Sequence, residues 1–180
     1  MANFKEDIAK VKAFVFDVDG VMTDGGIMPI GDGSDFIRKY NAKDGYAIAY
    51  AVRRGYKVCI ISGGHGNLLR SRMERLGVTR MYLGCMDKIR AMHEFFADYD
   101  VDPSTTIYMG DDIPDLECME LVGIIVRNCS CCELFCATAT SERHAIASEK
   151  RNLFIRKSVY RLVILVITSK IQLFERYRKK

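Results

Sequence analysis

The chain is 180 residues long, 49 % hydrophobic and 28 % charged, with a formal net charge of +4. That excludes a disordered segment and supplies material for one buried core; the longest strongly apolar run, Leu162–Ile167, is far short of the roughly 20 residues that span a bilayer, so no membrane partner is expected. A positive excess points to nucleic acid only when it gathers on one folded face, but here residues 124–180 hold 12 Lys+Arg against 4 Asp+Glu, leaving a net −4 on residues 1–123.

The 14 Gly and 3 Pro also all precede residue 124, so the chain changes character there. Seven cysteines are an odd number, and the cluster Cys129, Cys131, Cys132, Cys136 has no regular spacing. Both features fit reduced thiols rather than a disulfide framework. No secretory leader is read at the N-terminus, and the expected compartment is the cytoplasm.

Val11–Phe16 is a short β-branched and aromatic run that stops at Asp17, as a buried parallel strand does. Ile30-Gly31-Asp32-Gly33-Ser34 lies between two short extended runs and predicts a β-hairpin inserted after that strand, over about residues 26–40. Next come a helix over Gly45–Arg54, a strand over Tyr56–Ile61 ending at Ser62, and helices over Asn67–Leu76 and Lys88–Tyr99. A third strand, Thr106–Met109, ends at Gly110 and Asp111. Strands alternating with helices of this length predict βαβ units: a Rossmann-like, three-layer α/β/α fold with a parallel sheet covered on both faces.

The polar clusters fall just past the carboxyl ends of the predicted strands, where open α/β sheets bind ligands. In Asp17-Val18-Asp19-Gly20, two carboxylates at i and i+2 can converge on one cation, and a hard ion such as Mg²⁺ needs only one or two carboxylates besides carbonyls and water. Gly110-Asp111-Asp112-Ile113-Pro114-Asp115 crowds three acids into one loop, which calls for a compensating cation or basic group. Ser62-Gly63-Gly64 offers a hydroxyl and backbone N–H groups just ahead of a helix, a setting suited to phosphate. Lys88 starts a helix and by itself reads as a surface lysine. His65 and His93 read as structural, with His65 the nearer to the phosphate loop.

Taken in order, Asp-x-Asp-Gly, Ser-Gly-Gly, Lys and Gly-Asp-Asp-x-x-Asp resemble the haloacid dehalogenase superfamily in its phosphatase branch. The stretches FDVDGVMTDG, YNAKDGYAI, VCIISGG, LGVTRMYLG and YMGDDIPDLECME are most similar to its sugar-acid phosphatases, in which a small hairpin replaces the cap domain. The likeness covers roughly residues 8–123. It implies a haloacid dehalogenase-like core with Asp17 as nucleophile and Asp19 as general acid and then base. It also implies Mg²⁺ held by Asp17, the backbone carbonyl of Asp19 and Asp111, supported by Asp112 and Asp115. Ser62, the Gly63 N–H and Lys88 would bind the phosphoryl group, and Lys43 and Asp44 would join in binding substrate. The implied substrate is the 8-phosphate of an eight-carbon 3-deoxy sugar acid, with a nine-carbon 9-phosphate as the alternative within the class. The implied assembly is a homotetramer built through the hairpins. An impaired domain acting in binding or assembly is the reading from another class, and the intact Asp17, Asp19, Lys88 and Asp111 argue against it.

Residues 124–180 depart from that pattern. They lack the Pro-Ala-Asp-Ala-like and glycine-rich segments of such phosphatases and contain no Gly, Pro or Asp, although average usage of roughly 7 % Gly would place several there. This is the composition expected of an atypical basic tail, and a reading-frame shift near residue 124 would produce it. The Cys129–Cys136 spacing lacks the paired knuckles of a zinc site. Lys150–Arg161 and Arg176–Lys180 read as solvated basic faces, with no nucleic-acid partner expected, and Arg161–Phe174 reads as a segment that packs on the core.

Overall fold

The computed structural model describes residues 4–127, 151–153, 163–164 and 166. Helix α1 (Phe4–Lys10) leads into strand β1 (Ala13–Phe16), whose four residues are all buried. The hairpin follows as β2 (Thr23–Ile30) and β3 (Asp35–Tyr40), an antiparallel pair outside the main sheet. Then come α2 (Ala42–Arg53), β4 (Lys57–Ser62), α3 (Asn67–Arg75), β5 (Arg80–Leu83), α4 (Lys88–Tyr99), β6 (Thr106–Gly110), α5 (Leu116–Leu121), β7 (Ile124–Arg127) and β8 (Arg151–Leu153), with short 3₁₀ turns at Pro103–Thr105 and Ile113–Asp115.

The six-stranded sheet runs in the order β5-β4-β1-β6-β7-β8, and every neighbouring pair is parallel. Alternation along β1 sends its side chains to opposite faces. Phe14 and Phe16 join one core with Ile48 of α2 and Leu69 and Met73 of α3. Ala13 and Val15 join the other with Met92 and Phe95 of α4 and Cys118 and Met119 of α5. This is the predicted three-layer arrangement, with β1 at its centre and its carboxyl end beside those of β4 and β6.

The differences from the expected elements have local causes. Helix α2 starts at Ala42 rather than Gly45 because the Asn41 side chain accepts a hydrogen bond from the Lys43 N–H at 2.9 Å, satisfying a first-turn donor. Strand β5 was not expected: it is an edge strand, opens on an arginine and is only partly buried along its length, so it lacks a continuous apolar run. The hairpin begins at Thr23, three residues before the expected edge, and carries a register shift between Thr23 and Ile27. The sheet continues past the change in composition, since β7 pairs with β6 from Ile124 onwards. Val163 and Val166 are buried in the same core as Phe14. The Cys129–Cys136 cluster and the basic stretches Lys150–Arg161 and Arg176–Lys180 lie outside the described residues, apart from Arg151–Leu153 in β8. Among the described residues, no helix is long and apolar enough to cross a membrane.

Candidate active site

Strand pairing delivers the acidic residues to one place. The Asp17 N–H donates to the Met109 carbonyl at 3.0 Å, setting Asp17 at the carboxyl edge of the sheet beside the end of β6. The chain then turns sharply, with the Val21 and Met22 N–H groups both donating to the Val18 carbonyl. Gly20 makes this turn at φ +86°, and a Cβ there would lie 1.7 Å from Oδ2 of Asp111. Only glycine therefore admits both the backbone angle and the close approach of the Asp111 carboxylate.

Asp17, Asp111 and Asp115 each place a carboxylate oxygen within 4.8 Å of the others. They are not equivalent. Asp115 is fully buried: its Oδ1 accepts from Lys88 Nζ and from the Tyr108 hydroxyl, both at 2.7 Å, and its Oδ2 accepts from the N–H groups of Asp111 and Asp112 at 3.1 and 3.3 Å. Four donors occupy this carboxylate, so its work is to hold the loop and to aim Lys88. Burial pushes the Tyr108 hydroxyl far above its ordinary pKa, with the Asp115 charge adding to the effect, and this keeps the phenol protonated as a donor. Lys88 also lies 3.4 Å from Asp17 Oδ1. Burial works against the ammonium charge, but Asp17 and Asp115 outweigh it and hold the Lys88 pKa above its ordinary value.

Burial first, and then the Asp115 charge, raises the Asp17 carboxyl to about 6. Burial followed by the charges of Asp17, Asp115 and Asp112 raises Asp111 to about 7. Both carboxylates are thus held, against their own repulsion, in a partly dry corner where Lys88 is the cation beside them. A small divalent ion with oxygen ligands fits this donor set. With Asp115 saturated by the protein, Asp17 and Asp111 are the carboxylates suited to hold it.

The second flank is built by β4, the turn after it and the hairpin. Ser62 is buried at the end of β4 and its Oγ accepts from the Gly64 N–H at 3.1 Å. Asp19 points to this side, where both its oxygens are held by Arg38 of β3: Nε to Oδ1 at 2.8 Å and Nη2 to Oδ2 at 3.2 Å. The Arg38 side chain is 2 % exposed and that of Asp19 29 %. A Cβ on Gly64 would lie 2.7 Å from Arg38 Nη2 and 2.8 Å from Asp19 Oδ2, so the bare backbone of the Ser62-Gly63-Gly64 turn is what lets the pair sit against it.

The structure therefore brings together Asp17, Lys88, Asp111 and Asp115 on one flank, and Asp19, Ser62 and the Gly63-Gly64 turn on the other. Asp112 is more peripheral: it is exposed, and its side chain caps the 3₁₀ turn by accepting from the Ile113 N–H at 2.7 Å. Asp44 is buried and grouped with Met22, Tyr40, Ile48 and Arg72 around a small cleft rather than with the acidic cluster, and Lys43 is exposed. Arg38 and Tyr108 were missed in the sequence. Arg38 looks like any charge in an alternating strand, whereas Tyr108 carried a usable signal, because a tyrosine inside a buried strand needs a partner for its hydroxyl.

A parallel α/β sheet with this aspartate cluster at its carboxyl edge and a hairpin after the first strand has the haloacid dehalogenase-like phosphatase fold. No family model matches the chain, but relatives narrow the class. The chain is 36 % identical over 118 residues to 3-deoxy-D-manno-octulosonate 8-phosphate phosphatase of Yersinia pestis, covering 66 % of this chain and 63 % of that protein. It is 33 % identical over 116 residues to the phosphatase of the same name from Escherichia coli K12, covering 64 % and 61 %. The chain thus spans a little under two thirds of the length of these relatives. The crystal structure of the Yersinia pestis phosphatase superposes with a TM-score of 0.77 at 29 % identity, covering 94 % of this chain and 87 % of that one. In sequence and in fold the chain is thus similar to these phosphatases of haloacid dehalogenase-like fold.

The buried charge balance makes a direct prediction. Lys88→Met leaves Asp17 and Asp115 without their cation, and breaking a buried pair in this way costs about 3–5 kcal/mol. Urea denaturation of the metal-free variant is expected to show that loss, and an unchanged midpoint would contradict the assignment of Lys88 as the compensating charge.

Proposed function

We propose that the chain is a Mg²⁺-dependent phosphatase that hydrolyses 3-deoxy-D-manno-octulosonate 8-phosphate to the free sugar acid and phosphate, a step in making lipopolysaccharide precursor. The observation that carries this reading is the pairing of two differently held aspartates two residues apart: Asp17, 3.4 Å from a buried lysine, and Asp19, turned to the opposite flank against the Ser62–Gly64 turn. The names of the relatives supply the substrate.

In this mechanism an Asp17 carboxylate oxygen attacks phosphorus and the bond from phosphorus to the sugar oxygen breaks, while Asp19 passes its proton to that oxygen. Asp19 then takes a proton from water as the water oxygen attacks the phosphoryl group; the Asp17–phosphorus bond breaks and phosphate leaves. Ser62, the Gly63 N–H and Lys88 hold the phosphoryl oxygens with donors already in place. Mg²⁺, when bound by Asp17, Asp111 and the Asp19 backbone carbonyl, offsets the repulsion between a carboxylate nucleophile and a phosphate dianion. Asp115 and Asp112 keep the Asp111 loop in shape, and Lys43 and Asp44 are assigned to the sugar end of the substrate. The described cysteines Cys59, Cys85 and Cys118 are free thiols, which supports a cytoplasmic location.

Phosphate release from the 8-phosphate in the presence of Mg²⁺ tests the reading. Wild-type release is expected to stop on chelation, Asp17→Asn to release none, and Asp19→Asn to lose about 10²–10⁴-fold in kcat. Equal release by wild type and Asp17→Asn would remove the nucleophile assignment.

The same reading includes a homotetramer assembled through the hairpins. Ile27, Met28 and Ile37 there are each more than half exposed, and apolar side chains grouped on one exposed element mark an interaction surface. Light scattering is expected to give four times the chain mass, and a monomer at all concentrations would contradict the assembly.

A further inference from the structure

We propose that Arg38 is a positioning residue for the reaction, fixing the Asp19 carboxylate against the Ser62–Gly64 turn for its proton exchange with the leaving group. This rests on the phosphatase reading above and assigns a role to a hairpin residue. Arg38 is a nearly fully buried guanidinium, and three of its nitrogens are directed to acceptors: Nε and Nη2 to Asp19, and Nη1 to the His65 carbonyl at 3.4 Å. A planar fork on a carboxylate fixes direction as well as charge, which a lysine cannot do.

The two contacts differ in a useful way. Oδ1 is held at 2.8 Å by Nε, whereas the Nη2 contact to Oδ2 is longer, at 3.2 Å. Asp19 Oδ2 and Arg38 Nη2 together fill the space that a side chain on Gly64 would take, so the pair is wedged against the backbone of that turn. The short bond thus anchors Asp19, and the longer one, with the glycine backbone behind it, fixes the plane of the carboxylate. The fork does not swing freely. The Asp35 carboxylate accepts from the Leu68 N–H at 3.0 Å at the start of α3, and the Phe36 ring meets His65 edge-on at 5.3 Å, so the base of β3 is tied to the same turn that Arg38 reaches. The seating of the hairpin therefore sets the aim of Asp19.

Leaving-group dependence separates this role from a general structural one. An alkoxide must be protonated as it leaves, whereas p-nitrophenolate leaves without help, so in the first half-reaction a defect in Asp19 aim falls on sugar phosphates and spares p-nitrophenyl phosphate, while the water step that follows is common to both. Arg38→Met is expected to slow leaving-group release in the first turnover of the sugar 8-phosphate about 10²-fold, while p-nitrophenolate release in the first turnover of p-nitrophenyl phosphate stays within about threefold of wild type. Arg38→Lys is expected to show the same split, because it keeps the charge and loses the fork, and it carries the test if Arg38→Met does not fold. In an Asp19→Asn background, Arg38→Lys is expected to add little further loss. Equal first-turnover losses on both substrates, or a wild-type first turnover on the sugar phosphate, would overturn the proposal. Asp17→Asn, run alongside, tells the two failures apart: if it is inactive while the Arg38 variants show no split, only the role of Arg38 falls, and if it is active the phosphatase reading falls.

Discussion

The structure of this site depends on the cost of bringing carboxylates together out of water. Asp17, Asp111 and Asp115 share one corner, and burial with mutual repulsion drives Asp17 to about 6 and Asp111 to about 7. One lysine and one tyrosine answer part of that charge, and both direct their donors to the same oxygen of Asp115. The consequence is a division of labour among residues that look alike in the sequence. Asp115 is consumed in organising the loop, while Asp17 and Asp111 are the carboxylates suited to hold a cation. Carboxylates whose pKa is raised by burial and by one another cluster at functional sites.

Close backbone approach is the second constraint. Gly20 lets the Asp111 carboxylate reach the Asp17 turn, and Gly64 lets the Arg38–Asp19 pair reach the Ser62–Gly64 turn. Asp17 and Asp19, only two residues apart, are sent into different environments: one against a lysine in the sheet edge, the other against an arginine borrowed from the hairpin. Two carboxylates held so differently can take different parts in one reaction, as the proposed division between nucleophile and acid–base requires.

The core strands were legible because β1, β4 and β6 are continuous apolar runs that end at polar residues, and the motif positions after them followed from that placement. Helix α4 was legible to the residue because Asp87 caps its start, accepting from the Arg90 N–H, and its apolar spacing is regular. What the sequence hid was long-range pairing. Nothing local distinguishes Arg38 from Lys39 beside it, and only the folded hairpin buries one and leaves the other exposed. The change in composition near residue 123 marks a loss of turn-forming residues, yet Ile124-Ile125-Val126 is a β-branched apolar run and pairs with β6 all the same. Composition reports loops and surfaces, whereas pairing in a buried parallel sheet asks only for such a run.

The central claim is that Asp17, placed by β1 and faced by Lys88, accepts the phosphoryl group covalently. Acid quenching during turnover of substrate labelled in its phosphate, followed by peptide mapping, tests this most directly. Label on the peptide that carries Asp17, absent from Asp17→Asn, is the result expected. Steady turnover with no labelled peptide, or with label on another residue, would contradict it.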